Sequence, residues 1–467
     1  MDTVSRRDFL IRSTAVAMGF AGLRTAMAQG EVMSHLVRAD GAGFGPLLPD
    51  PAGVFDMPAG FSYRVISRQG ERMADGLVLP GMPDGMAAFE SRREDGTPDG
   101  RTLIVRNHEI EDSNKVPGPF GESERLPEGI DASMVYDAGH GRPCRGGTTT
   151  LVYNTATQEV ESQYLSLAGT ERNCAGGPTP WGSWITCEET VTRGDDRREQ
   201  DHGWCFEVPA RATPGLVRPV PLKAMGRFNH EAVCIDPATG LVYLTEDTND
   251  GALYRFIPAE PGRLKAGGRL QALAVRGRDR LDTRNREETT VKVGGRSMVR
   301  WIDLDDVESP KDDLRHRAYA AGAARFARAE GMWWGRGAAY FACTSGGREG
   351  AGQLWRLTPG ADRGADGGAA GDTLELFIEP NDRSVLEYAD NITFSPWGDI
   401  VVCEDGSADQ FLLGVTPEGT VYKLGRNAMS HSELAGACFS PDGTTLFLNI
   451  QHDGLTLAIT GPWGREP

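Results

Sequence analysis

Asp236-Pro237-Ala238-Thr239-Gly240-Leu241-Val242-Tyr243-Leu244, Ser395-Pro396-Trp397-Gly398-Asp399-Ile400-Val401-Val402 and Ser440-Pro441-Asp442-Gly443-Thr444-Thr445-Leu446-Phe447 follow one pattern. In each, a turn rich in Pro and Gly delivers the chain into a short apolar strand. Cys234, Ile392 and Cys438 stand a few residues earlier, in an incoming strand. Proline presets φ and glycine accepts the tight bend, so each stretch reads as strand, turn, strand. A hairpin that returns at wide intervals through a long chain is the signature of a propeller, whose blades repeat one supersecondary unit. Outward from these three, further four- to six-residue β patterns occur at 102–106, 148–153, 183–187, 252–256, 339–343, 353–357 and 420–424. The reading is an all-β chain, one propeller across 29–467, with loop and short helical insertions. A two-sheet sandwich would need much longer loops than usual.

The regular spacing breaks in three places. Residues 258–300, rich in Gly and Arg, read as an extended excursion with one or two strands. Residues 312–326 carry helical composition, with Leu314, Tyr319, Ala323 and Phe326 on one face. Residues 360–371 form a low-complexity loop of Asp, Gly and Ala. Across 467 residues, 60 glycines and 28 prolines support many short strands over long helices. The formal charge of -17 excludes a general polyanion-binding surface. No basic stripe interleaved with aromatics is present, so nucleic acid is not an expected partner.

The start of the chain reads as an address. Ser5-Arg6-Arg7-Asp8-Phe9-Leu10 precedes a mildly apolar run at 15–23 and the small residues Ala26-Met27-Ala28. This resembles a twin-arginine export signal over 1–28, which makes the twin-arginine machinery a partner and the periplasm or exterior the destination. No later run reaches membrane-spanning length. That route carries folded proteins, often with metal already loaded, and a monomer is expected.

Of eight cysteines, Cys187, Cys234, Cys343 and Cys403 lie in apolar strand patterns as small buried hydrophobes. None shows CxxC spacing, and pairing among Cys144, Cys205 and Cys438 is left open. Cys174 differs, standing in a loop of Gly and Pro. Several strands end on carboxylates: 102–106 runs into Asn107-His108-Glu109, 183–187 into Glu188-Glu189, 241–245 into Glu246-Asp247, and 400–403 into Glu404-Asp405. Phe228-Asn229-His230-Glu231 enters a strand with a fifth. Alternation along a strand turns Glu188 and Glu246 away while Glu189 and Asp247 face the site. Any one of these is an ordinary turn residue, and the set could be exposed acidic loops. Converging on a propeller channel, they would repel one another unless hard cations compensated. His108 and His230 read as supports for the neighbouring Glu residues.

Gly169-Thr170-Glu171-Arg172-Asn173-Cys174-Ala175-Gly176-Gly177-Pro178-Thr179-Pro180-Trp181-Gly182-Ser183-Trp184-Ile185-Thr186-Cys187-Glu188-Glu189 is the most specific stretch. A Cys so placed is either a metal-held thiolate or a buried turn residue; no His and Asn context supports a papain-like nucleophile. The stretch resembles the signature of the PhoX family of alkaline phosphatases. The resemblance continues through Arg106–Glu109, Gly226–Glu231, Tyr243–Asp247, Phe326–Gly331, Asp390-Asn391-Ile392 and Cys403–Gly406, then through 436–451 and 456–463.

That resemblance implies a six-bladed propeller, twin-arginine export, and hydrolysis of phosphate monoesters, with ferric iron and calcium (Fe3+ and Ca2+) as cofactors. A metal-held oxide or hydroxide is then the expected nucleophile. Carried over by motif, Cys174, Glu231 and Glu330 would hold iron, and Glu109, Glu189, Asp247 and Asp405 would hold or bridge calcium. Arg328 would clamp the phosphate of a small phosphorylated substrate. Thr245-Glu246-Asp247 and Phe326-Ala327-Arg328-Ala329-Glu330 depart from the family's usual wording, where Gly-Asp-Asp and Arg-Pro-Glu are common, yet keep the acidic anchors. The rival readings are a calcium-dependent lactonase or phosphodiesterase-type propeller and a nonenzymatic metal-stabilised scaffold.

Overall fold

The computed structural model describes residues 43–360 and 371–464; the 1–28 leader and positions 361–370 lie outside the described residues. The three quoted turns each link a first strand to a second: His230–Ile235 to Val242–Glu246, Ala389–Phe394 to Ile400–Glu404, and Leu434–Phe439 to Thr445–Ile450. Side chains close them. Ser395 Oγ accepts from the Asp399 N–H and Ser440 Oγ from the Thr445 N–H, while Asp236 accepts from Ala238 and Thr239.

Five hydrogen-bonded antiparallel sheets result. Pro83–Arg92, Pro98–His108, Gly146–Asn154 and Glu159–Thr170 make a four-stranded sheet, and Asn173–Pro178, Ser183–Glu188 and Cys205–Pro209 a three-stranded one. A nine-stranded sheet runs from His230–Ile235 outward to Gly268–Val275, through Arg296–Asp303 to Thr373–Ile378, and inward again to Ala338–Cys343 and Ala329–Gly335. A six-stranded sheet begins at Ala389–Phe394 and takes in the N-terminal strand Phe55–Pro58. In the last sheet Ser62–Arg68 pairs with Leu455–Thr460, so the start of the described chain completes the sheet built by its end. The expected separate blades are not all separate. The excursion strand Arg296–Asp303 pairs on both sides, with Gly268–Val275 and with Thr373–Ile378, and so fuses two units.

The arrangement is propeller-like. The first strands Pro83–Arg92, Asn173–Pro178, His230–Ile235, Ala329–Gly335, Ala389–Phe394 and Leu434–Phe439 pack side by side in a closed circuit. Such an approach requires small residues: a Cβ on Gly331 would lie 2.3 Å from the Asp390 carbonyl oxygen. Apolar cores fill the wedges between sheets. Met86, Ile104, Leu151 and Tyr153, for example, meet Cys438, Phe447 and Ala458 from the last sheet. The excursion contributes two strands, as its composition indicates. Of 312–326, only Leu314–Ala320 is α-helical; Gly322, at φ +107°, turns the chain, and Phe326 bridges to Gly251. No helix among the described residues is long and apolar enough to cross a membrane.

Candidate metal centre

Each of the six circuit strands carries a β-bulge near its start. The register shifts between Pro83 and Met86, Asn173 and Gly176, His230 and Val233, Ala329 and Met332, Ala389 and Ile392, and Ala435 and Cys438. A bulge bends the strand and re-aims the extra side chain. Here the first bulged residue is Asp84, Cys174, Glu231, Glu330 and Asp390 in five strands, and Gly436 in the sixth. At Gly436 a Cβ would strike the Asp84 carbonyl oxygen at 2.3 Å, and φ is +65°.

A second tier comes from the neighbouring strands. The residue just past each second strand is Glu109, Glu189, Asp247, Thr344, Asp405 or Gln451. The two tiers interlock. Ligating atoms of Asp84, Glu109 and Cys174 lie within 4.8 Å of one another, as do those of Cys174, Glu189 and Glu231, and those of Glu231, Glu330 and Asp390. Cys174 Sγ is 3.7 Å from Asp84 Oδ2. Gln451 donates from Nε2 to Asp84 (2.6 Å) and to Glu109 (2.8 Å), tying the last sheet to the first. Arg172 donates to Glu109 and Glu189, and Arg328 to Asp247, with an ion pair to Glu330.

Buried anions this close cannot all be charged. Burial, then the Glu109 and Asp390 charges, raise the Asp84 carboxyl well above the usual range. Burial and its acidic neighbours do the same for Glu231, Glu330 and Glu189, and push Asp390 to about 7. The Cys174 thiol is raised by burial and by Asp84, Glu231, Glu109 and Glu189. Although burial opposes their charge, Arg172 and Arg328 are held above the ordinary guanidinium value by the carboxylates they touch. Asp84 Oδ1, Glu231 Oε1 and Gln451 Oε1 are buried without a hydrogen-bond partner. A cation would satisfy such buried acceptors. The donor set suits two kinds of ion, since thiolate favours a softer transition metal and carboxylate favours calcium.

The structure thus brings Cys174, Glu231, Glu330, Glu109 and Glu189 into contact, with Asp247 joined through Arg328 and Glu189. Asp405 stands apart from the tight groups, beside Glu433, whose carboxyl is raised by burial and by Asp405. Sequence reasoning missed Asp84, Asp390 and Glu433 as site residues, Arg172 as the partner of Glu109 and Glu189, and Gln451 as the partner of Asp84 and Glu109. One signal was available: Asp84-Gly85-Met86, Glu231-Ala232-Val233, Glu330-Gly331-Met332 and Asp390-Asn391-Ile392 share an acid, a compact residue and an apolar one.

The paired acids divide their work by face. Glu188 accepts from the Glu171, Gly203 and Trp204 N–H groups and from His202; Glu246 accepts from Ala252 N–H and Tyr254 OH; Glu404 accepts from Glu387 and Phe411. All three point away from the cluster and fasten loops. His108 lies between the Gly81 carbonyl and Thr149, and His230 between the Gly226 carbonyl and Cys205. Burial lowers both imidazoles, His230 to about 4, so neither ring is a charged partner of the cluster at neutral pH.

Beside the bulged residues, Gly85, Ala175, Ala232, Gly331 and Gly436 line a small half-open hollow of about 20 Å³, room for a water. Arg172 and Arg328 are each 33% exposed and form part of the rim.

Comparison with solved structures places the fold beside a Pseudomonas fluorescens PhoX in complex with vanadate, a transition state analogue. The TM-score is 0.61 at 18% identity, covering 89% of this chain and 97% of that one. A gluconolactonase from Xanthomonas campestris aligns at TM-score 0.41 and 12% identity, covering 90% of this chain and 98% of that one. A search of curated proteins found no match. The profile described as alkaline phosphatase PhoX matches residues 42–454. That span takes in the whole circuit of bulged acids, Cys174 and both rim arginines, so the chain belongs to the PhoX family of alkaline phosphatases and is a phosphatase.

Proposed function

We propose that the chain hydrolyses phosphate monoesters at a mixed iron–calcium centre, with Cys174, Glu231 and Glu330 on iron and Glu109, Glu189, Asp247 and Asp405 on or between calcium ions. Asp84 and Asp390 join the iron-side set by their place in the repeat. One observation carries this reading: five consecutive bulges place four carboxylates and one thiol in a chain of overlapping close groups, where buried oxygens have no hydrogen-bond partner. When bound, such cations supply charge neutralisation and Lewis acidity toward a phosphoryl group.

The chain's own residues do the rest. Arg328, anchored through Nε and Nη2 to Asp247, presents its remaining N–H groups to phosphoryl oxygens. Asn107 fixes the Cys174 bulge by donating to the Cys174 and Ala175 carbonyls. The six-strand circuit supports a six-bladed count, with the nine-stranded sheet as two blades joined by Arg296–Asp303. The Arg6-Arg7 leader supports twin-arginine export of a folded protein to the periplasm or the exterior.

The test pairs metal analysis of natively folded protein with hydrolysis of a panel of phosphate mono- and diesters. Iron near or above about one equivalent per chain with monoester turnover is expected. Divalent ions alone, with lactone turnover, would replace this reading with the lactonase one. Cys174→Ser should lower iron content and rate, whereas Cys234→Ser, at a buried site in an apolar cluster, should cost stability and leave iron in place. Equal and metal-neutral effects of the two substitutions would contradict the assignment.

A further inference from the structure

Two arginines occupy the same position in the repeat. Arg172 and Arg328 each precede a bulged ligand residue by two places, Cys174 and Glu330, and both hold a left-handed backbone, at φ +48° and +50°. Met82 before Asp84 and Tyr388 before Asp390 share that conformation, at φ +48° and +53°. Four of the six copies thus share the backbone turn, and the arginine side chain is what sets two of those four apart.

The hydrogen bonding is matched as well. Arg172 donates from Nε and Nη2 to Glu109 at 3.3 and 3.0 Å, and from Nη2 to Glu189 at 2.9 Å. Arg328 donates from Nε and Nη2 to Asp247, both at 3.0 Å, and pairs through Nη2 with Glu330. Neither donates from Nη1 to any described residue, and each side chain is 33% exposed. Glu189 and Asp247 touch, so the two guanidinium groups flank one carboxylate pair at the rim. Anchored on one edge, each fork keeps a fixed orientation and an uncommitted pair of N–H donors on the other.

We infer that Arg172 is a second phosphate-holding residue, the counterpart of Arg328, so that one phosphoryl group is gripped by two guanidinium edges from adjoining sides. This rests on the phosphatase reading and deepens it. A phosphate dianion entering among carboxylates needs donors on its outer oxygens as well as cations behind it. A single guanidinium edge supplies at most two such donors. The competing account makes Arg172 only a counter-ion for Glu109 and Glu189.

The experiment uses metal-loaded enzyme, with inorganic phosphate as a competitive inhibitor and a small aryl phosphate as substrate, and metal content measured on the same samples. Arg172→Ala should weaken phosphate inhibition and raise KM by roughly ten- to a hundredfold, as Arg328→Ala should, with metal content unchanged. Arg172→Lys keeps the positive charge beside Glu109 and Glu189, and so guards against misfolding; it should hold metal and Tm yet lose phosphate affinity several-fold, because an ammonium cannot replace the fork. Phosphate inhibition equal to wild type in Arg172→Ala, or a loss that tracks metal content and is restored by added metal, would overturn the inference. If wild type turns over no phosphate ester, the phosphatase reading itself fails. If wild type is active and only Arg328→Ala is impaired, the second clamp alone is wrong.

Discussion

Asn107 sits at 0% exposure behind Cys174 and fills its whole amide. It donates to the carbonyls of Cys174 and Ala175 at 2.9 and 2.7 Å, and accepts from Trp184 Nε1 and Thr186 Oγ1, both at 2.8 Å. A bulged peptide has lost its ladder partners, and this side chain replaces them. Asn107→Ala should therefore cost about 3 kcal/mol in urea unfolding, since several buried groups lose partners at once. Iron content should fall with it, because the Cys174 thiol loses its fixed aim. A stability loss below about 1 kcal/mol would show that the bulge holds itself. Asn107 was visible in the sequence as part of Asn107-His108-Glu109. Its role was not, because the partners lie far along the chain and meet it only through packing.

At the scale of single elements, the division between site-facing and structural acids was legible, because alternate residues of a strand point to opposite faces. Glu188 illustrates the structural half. It bonds His202 Nδ1 at 2.6 Å, and His202 Nε2 lies 3.2 Å from Asp137, so a buried imidazolium clasps one strand end and two loops. Burial opposes that charge, but Glu188 and Asp137 raise the imidazole well above its ordinary value. A histidine raised on folding adds stability that is fully present below the unfolded value, about 6.5, and is lost as pH rises through the folded value. His202→Leu should cost about 3–5 kcal/mol at neutral pH. The gap between variant and wild type in denaturant midpoint should narrow in alkaline solution; a gap that widens there would rule out the imidazolium. The bulges were not legible, since an extra residue shows itself only against the partner strand's register. That is why Asp84, whose local context is an ordinary Pro-Asp-Gly turn, escaped notice while Cys174 did not.

Across the whole molecule, the turn repeats disclosed a propeller-like fold, but the fusion of two units by Arg296–Asp303 depended on pairings that no local pattern encodes. The same long-range closure gathers acids from four circuit strands and a thiol from a fifth, and it makes stability depend on what neutralises them. Folding raises the carboxyls of Asp84, Glu189, Glu231 and Glu330 by burial and mutual repulsion, and that of Asp390 to about 7. Relative to the charged form, a carboxyl raised on folding contributes stability that is fully present below its unfolded value of about 4 and is lost as pH rises through the folded value. Protein stripped of cations by a chelator should therefore lose thermal stability steadily from mildly acidic pH through pH 7 and beyond. Cation-loaded protein should not, because bound ions replace the protons. Readdition of calcium and iron at alkaline pH should recover the lost Tm. Charge-neutralising substitutions offer a second check: Glu231→Gln should raise the alkaline Tm of stripped protein while lowering that of loaded protein. A stripped protein whose Tm is flat across this range would mean that the acids do not share one buried field, and the centre built from them would dissolve with it.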